Sequence, residues 1–131
     1  MKYKLSIFIF LVVLSHCFSQ ENYDWNNIQK VELYAFEKNK KIEEYTSKDL
    51  NEKSLVKCDT KKIIQYLKEL KKFKNDVVLE NKFYALRVYF PKSRTDFILF
   101  VNQGVMFKLK NGRTYFEIGS EFKKLIEELT K

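Results

Sequence analysis

Histidine is almost missing from this sequence. The one histidine, His16, and one of the two cysteines, Cys17, lie within the first nineteen residues, which have the composition of a removable leader. The rest of the chain therefore has no imidazole, which excludes a Ser-His-Asp triad, a Cys-His pair and an imidazole-bound metal. The remaining cysteine, Cys58, has no partner for a disulfide within the same chain.

Glycine and proline are also scarce, with three glycines and one proline. The sequence has no glycine-rich phosphate loop and no CxxC, HExxH or EF-hand pattern. Its adjacent carboxylates, Glu43 with Glu44 and Glu127 with Glu128, lie among lysines, which is typical of a solvated surface rather than of an acid–base pair. We therefore predict that the protein is not an enzyme and that it binds neither a cofactor nor a metal.

The start of the chain has the features of a secretory leader. Lys2 and Lys4 precede an apolar run over residues 5–14, and small side chains follow at Cys17 and Ser19. A basic start, a short apolar stretch and small residues three and one positions before the cut are the three parts of a signal peptide. We predict that residues 1–19 are cleaved before Gln20 and that the protein is exported to a periplasmic or extracellular location.

Two other interpretations of this leader stay open. As a transmembrane anchor, the apolar run is short, because a helix needs about 20 apolar residues to cross the hydrocarbon core. As a lipoprotein signal, Leu14-Ser15-His16-Cys17 resembles a lipobox, although His16 stands where a small residue is usual. Lipidation of Cys17 is the one case in which we expect the protein to lie at a membrane.

Beyond the leader we expect an N-terminal arm over residues 20–28 and a single α+β domain over residues 29–131. Apolar and polar residues alternate in stretches that predict strands over residues 29–36, 82–90, 95–101, 105–110 and 113–118, and near 54–58. Helical spacing of apolar residues predicts amphipathic helices over residues 60–74 and from Ser120 onward. The order β-(β)-α-β-β-β-β-α favours an antiparallel four- to six-stranded sheet with both helices packed on one face.

The last two strands flank Asn111-Gly112, which suits a two-residue type I′ turn. Counting back from such a turn pairs Leu109 with Thr114 and Phe107 with Phe116. Lys108 then faces Tyr115 on the other side of the hairpin. This register is the most specific local prediction that the sequence makes.

Aromatic residues are abundant on the predicted strands, which suggests a contact surface. With both helices on one sheet face, large amphipathic side chains on the other face would stay uncovered, and exposed apolar patches often mark protein-binding surfaces. The candidate partner-binding residues are Arg87, Tyr89, Phe100, Met106, Lys108 and Tyr115. We expect a macromolecular partner and favour a protein.

A nucleic-acid partner is less expected. Aromatic residues mixed with Lys and Arg on strands also occur in nucleic-acid-binding sheets. The RNA-recognition signature is absent, however, and export separates the protein from nucleic acid. The formal net charge of +8, of which Lys2 and Lys4 carry two, is typical of a lysine-rich solvated surface and would also suit an anionic partner.

In outline, the predicted arrangement resembles small exported α+β proteins of bacteria, among them cystatin-like and inhibitor- or immunity-type modules. No diagnostic motif carries this resemblance: Asn102-Gln103-Gly104-Val105 has a different order from the cystatin Gln-x-Val-x-Gly loop. The resemblance implies binding rather than catalysis and assigns no site residues. The open alternatives are an inhibitor that neutralises an exported toxin or hydrolase, and an envelope-associated structural protein or lipoprotein.

Overall fold

A six-stranded antiparallel sheet is the centre of the described residues, which in this computed structural model are 23–37, 40–53, 55–110 and 114–129. The predicted signal peptide and residues 20–22 lie outside them. In chain order the strands are β1 (Lys30–Glu37), β2 (Lys71–Lys72), β3 (Lys82–Tyr89), β4 (Arg94–Phe100), β5 (Val105–Lys108) and β6 (Tyr115–Glu117). Across the sheet their order is β1-β3-β4-β5-β6-β2.

Two amphipathic helices cover one face of the sheet, as predicted. They are α2 (Thr60–Leu67) and α3 (Ser120–Glu128), which follow a shorter helix, α1 (Ser47–Asn51). Asp59 caps α2 by accepting hydrogen bonds from the backbone N–H groups of Lys61 and Lys62, at 3.1 and 3.3 Å. The apolar stripes of both helices are buried in the same core, through Ile63, Leu67, Phe122 and Ile126. The α+β fold class is therefore confirmed.

Helix α2 ends earlier than predicted. The apolar spacing predicts a helix to residue 74, but the helix stops at Leu67 and the chain then enters β2. There Lys71 pairs with Glu117 and Lys72 pairs with Phe116. The backbone of this segment therefore forms hydrogen bonds to β6 instead of the hydrogen bonds of a longer helix. The predicted strand near 54–58 is likewise reduced to one bridge between Leu55 and Tyr34.

The predicted register of the last hairpin is wrong by one residue. Met106 pairs with Phe116 and Phe107 pairs with Tyr115, whereas the turn pattern pairs Phe107 with Phe116. Lys110 has a φ of 55°, so the chain already departs from the strand there, one residue before the expected turn. The Asn111-Gly112 turn itself lies outside the described residues. This register turns Phe116 towards the helix-covered face, where it contacts Trp25.

The N-terminal arm packs against the end of the sheet. The ring of Tyr23 lies 5.1 Å from that of Phe97 and 6.0 Å from that of Phe90, and the ring of Trp25 lies 6.0 Å from that of Phe116. Tyr23, Trp25 and Ile28 of the predicted arm are half-buried against the helix-covered core, whereas Asp24, Asn26 and Asn27 are exposed.

The second face of the sheet is also covered, which the sequence did not suggest. Tyr45 and Leu50, from the segment that contains α1, pack on Phe36 and Phe83 in a second core. The capping box of α1 fixes this segment, since the backbone N–H of Thr46 donates to Asp49 at 2.7 Å. None of the described helices is long and apolar enough to span a membrane.

Candidate functional site

The six candidate partner-binding residues do not share one open surface. Arg87, Phe100 and Met106 are buried, with 3%, 0% and 0% of their surface exposed. Met106 faces the core beneath α2 and α3, on the opposite side of the sheet from Phe100. Tyr89, Lys108 and Tyr115 are half-buried. The expectation that these side chains lie on an uncovered face is therefore wrong for Arg87, Phe100 and Met106, and the binding role of the six residues stays a prediction.

Arg87 is a structural anchor. Its guanidinium binds Asp96, its partner across β3 and β4, through two hydrogen bonds of 2.8 and 3.2 Å. Its remaining donors reach the Asn51 side chain at 2.7 Å and the Ser47 carbonyl at 3.0 Å. The hydrogen bond to Asp96 raises the pKa of Arg87 above its ordinary value. Arg87 thus holds α1 on the sheet and is not available to a partner.

Tyr89 is also held by its neighbours. Its hydroxyl donates a 2.5 Å hydrogen bond to Glu32, and the ammonium of Lys30 lies 5.3 Å from the centre of its ring. Phe100, Lys108 and Tyr115 are the three candidates that the structure brings together, because all three line one pocket.

A continuous row of aromatic rings leads to this pocket. It crosses the second face from β1 to β6 with ring centres 5.2–6.1 Å apart. We call this the aromatic row, and it consists of Phe36, Phe83, Phe100, Phe107 and Tyr115. Its β1 end lies beneath Tyr45, whose ring contacts both Phe36 and Phe83. At its β6 end Phe107 and Tyr115 are half-buried.

The apolar pocket is an open cavity of about 280 Å³ over β4, β5 and β6. Ile98, Phe107 and Tyr115 contribute to its wall from the sheet, and Ile42 and Leu79 contribute from the two segments that cross the second face. Three charged residues also line it: Glu43 and Lys110, which are exposed, and Lys108, which is half-buried. The pocket therefore presents a mainly apolar wall with three aromatic rings, and its charged rim has one more basic than acidic residue.

Hydrogen bonds between the β4–β5 turn and residues 78–80 hold one wall of the pocket in place. The Gln103 side chain bonds both backbone groups of Val78: its Oε1 accepts from the Val78 N–H at 2.8 Å, and its Nε2 donates to the Val78 carbonyl. Glu80 accepts from the backbone N–H groups of Asn102 and Gln103 at 3.3 and 3.2 Å. These bonds keep Val78 and Leu79 beside the pocket although both side chains are more than half exposed.

Cys58 is a free cysteine and lies outside the lining of the pocket. Cys58 is half-buried against the helix-covered core, and its burial, followed by the charge of Asp59, raises the pKa of the thiol. A thiol with a raised pKa stays protonated at neutral pH and is a poor nucleophile. Within the described ranges, no three histidine, cysteine or acidic side chains come together as a metal site.

The chain matches no protein-family model, no curated protein and no solved structure. The candidate site therefore rests on its own geometry, and the outline resemblance to exported inhibitor-like proteins stays an expectation.

Sequence reasoning missed the residues that cross over the sheet. Ile42, Val77 and Leu79 line the pocket, yet they lie in stretches without regular periodicity. One signal was present: Val77, Val78 and Leu79 form an apolar triplet between the acidic residues Asp76 and Glu80. Such a triplet in a predicted loop indicates a segment that packs on something.

Proposed function

We propose that the chain is an exported, non-enzymatic domain that binds a protein by receiving one of its apolar side chains in the apolar pocket. One observation carries this proposal. The second sheet face is covered everywhere along the aromatic row except at its β6 end, where Phe107 and Tyr115 line an open cavity. Half-buried aromatic rings in a concave site are typical of positions that bind a large apolar group.

The size of the pocket favours a side chain over a larger ligand. Pockets for drug-sized molecules measure about 300–1,000 Å³, and an apolar cavity of about 150 Å³ already accommodates benzene. A cavity of about 280 Å³ therefore holds one aromatic or branched aliphatic side chain. Val78, 69% exposed, and Leu79, 54% exposed, extend the apolar surface beyond the cavity, and a protein could cover them at the same time.

An inhibitor or immunity protein is the narrower form of this proposal, with an exported toxin or hydrolase as the partner. Both forms use the same pocket and neither needs a catalytic group. The two forms of the proposal predict different results, because only an inhibitor would abolish the activity of the protein that it binds.

Replacing Leu79 with aspartate should weaken partner capture about tenfold, because the complex would then bury a carboxylate against the apolar wall. The measurement is quantitative mass spectrometry of envelope proteins that bind the immobilised chain. Leu55→Asp is the matched control, since Leu55 has the same exposed fraction, 54%, and lies at the outer edge of β1.

The comparison between the two variants decides the outcome. The proposal expects at least one protein that wild type and Leu55→Asp capture equally and that Leu79→Asp captures poorly. Equal capture of every partner by Leu79→Asp and Leu55→Asp would contradict a binding role for the pocket.

Export itself has a direct test. We expect the exported chain to begin at Gln20, as intact mass spectrometry of the protein recovered outside the cytoplasm would show. A chain that begins at Cys17 with added acyl groups would instead support the lipoprotein alternative. A protein that keeps residues 1–19 and remains in the cytoplasm would contradict export.

A further inference from the structure

The free edge of β2 is rich in lysine. β2 is the last strand in the sheet order, so within the described residues no strand lies on its outer side. Lys71 and Lys72 form β2 and Lys74 follows after Phe73; all three lysines are exposed. With Phe73, Asn75 and Glu117 they line an open groove of about 490 Å³.

The pairing of β2 with β6 decides which backbone groups this edge offers. The backbone N–H of Phe73 donates to the Tyr115 carbonyl at 2.8 Å, so it points into the sheet. Along an extended strand the N–H groups point alternately to one side and the other. The N–H of Lys72 therefore points away from β6, towards the open side, and Lys74 lies two residues further on, just beyond β2. Such an outward N–H can pair with an added strand.

We propose that this edge binds an acidic, extended segment of the partner protein, which adds a strand beside β2. Lysines on an edge strand oppose pairing with a neutral strand or with a second copy of the same edge. The same lysines attract a strand whose Asp or Glu side chains lie opposite them, because opposite charges across a strand pair are stabilising. The lysines thus disfavour pairing of this edge with most strands and favour pairing with an acidic strand.

This inference rests on the proposed function, because it describes a further part of the same partner. Tyr115 links the two sites: its side chain lines the apolar pocket, and its carbonyl accepts the hydrogen bond from Phe73 at the groove. β6 and β2 are neighbours in the sheet, so a partner with an apolar side chain in the pocket has to cross only the face of these two strands to reach the free edge. We expect acidic residues next to that side chain in the partner's sequence.

A peptide of alternating glutamate and threonine residues is the probe, and fluorescence anisotropy with the chain that begins at Gln20 is the measurement. We expect saturable binding that weakens about tenfold in Lys72→Gln/Lys74→Gln, since two charge pairs are lost. Lys61→Gln/Lys62→Gln is the matched control: it removes the same charge from exposed positions on α2 and should bind as wild type does. A peptide methylated on alternate backbone nitrogens, with its charge unchanged, should bind at least about tenfold more weakly.

Three results would overturn the inference: no saturable binding, equal weakening in the two double variants, or equal binding of the methylated peptide. Without saturable binding there is no site at this edge. Equal weakening in the two double variants would mean that the peptide responds only to the net charge of the protein, and equal binding of the methylated peptide would exclude strand addition. The peptide has no apolar side chain, so Leu79→Asp should bind it normally. Failure of the edge and failure of the pocket are therefore separate results.

Discussion

Replacing Arg87 with methionine is expected to destabilise the domain by about 3–5 kcal/mol, because Asp96 would remain buried without its counter-charge. Both side chains of the pair are only 4% exposed, and two hydrogen bonds join them. The substitution also releases Asn51 and the Ser47 carbonyl, so α1 loses its polar attachment to the sheet. Urea unfolding of wild type and variant, extrapolated to water, measures the difference in free energy.

The double variant Arg87→Met/Asp96→Leu is the control for this prediction. Replacing both partners of a buried ion pair with apolar residues of similar size is often close to neutral. We therefore expect the double variant to recover most of the stability that Arg87→Met loses. A loss below about 1 kcal/mol in Arg87→Met, the range of exposed ion pairs, would contradict the anchoring role of Arg87.

The second large effect is expected in the N-terminal arm. Removing both rings, in Tyr23→Ala/Trp25→Ala, should cost about 3–5 kcal/mol, since each is half-buried and a fully buried aromatic costs about that much alone. The two rings contact Phe90, Phe97 and Phe116 at the end of the sheet, in the core that α2 and α3 also cover. Thermal and urea unfolding of the chain that begins at Gln20 would show the loss.

Asn26→Ala is the matched control in the same arm. Asn26 is exposed and lies between the two rings in sequence, so its replacement should change stability by less than about 0.5 kcal/mol. If the double variant were as stable as Asn26→Ala, the arm would be a dispensable extension and the contacts of its two rings would carry no stability.

The local patterns of the sequence predict which side chains of a strand or helix face the core, because that depends on residues a few positions apart. Alternation separates Leu33 from Phe36 within β1 and Leu86 from Ala85 within β3, and the two members of each pair lie in different cores. The helical spacing of Ile63, Leu67, Phe122 and Ile126 likewise identifies the stripes that are buried together. In each case the residues that determine the outcome lie within a few positions of one another.

The errors arose where distant residues decide the structure. In the observed register of β5 and β6, Phe116 contacts the rings of Tyr23 and Trp25, near the other end of the chain. The segment that covers the second face is bound to the sheet through Arg87 and Asn51, which are thirty-six positions apart. Neither contact produces a periodic pattern in the sequence. The sequence therefore predicted that the second face is uncovered and that Arg87 is exposed on it.

The candidate site was predictable only in part, for the same reason. Phe100, Lys108 and Tyr115 were predicted, because they lie on predicted strands in which the excess of aromatic residues is visible from the sequence. The opposite wall, with Leu79, depends on Gln103 binding both backbone groups of Val78 across 25 positions. The sequence predicted a broad aromatic surface, whereas the structure has a small apolar pocket at the β6 end of the aromatic row.

The most direct test of that pocket is an NMR titration of the methyl-labelled chain with N-acetyl-leucinamide and N-acetyl-phenylalaninamide, which mimic single apolar side chains. We predict saturable shifts of the methyl signals of Val77, Leu79 and Ile98, which line the pocket, and no change at Leu33 and Ile63, which lie in the helix-covered core. Shifts that fail to saturate, or that fall equally on Ile63 and Leu79, would contradict the proposal that the pocket is the binding site.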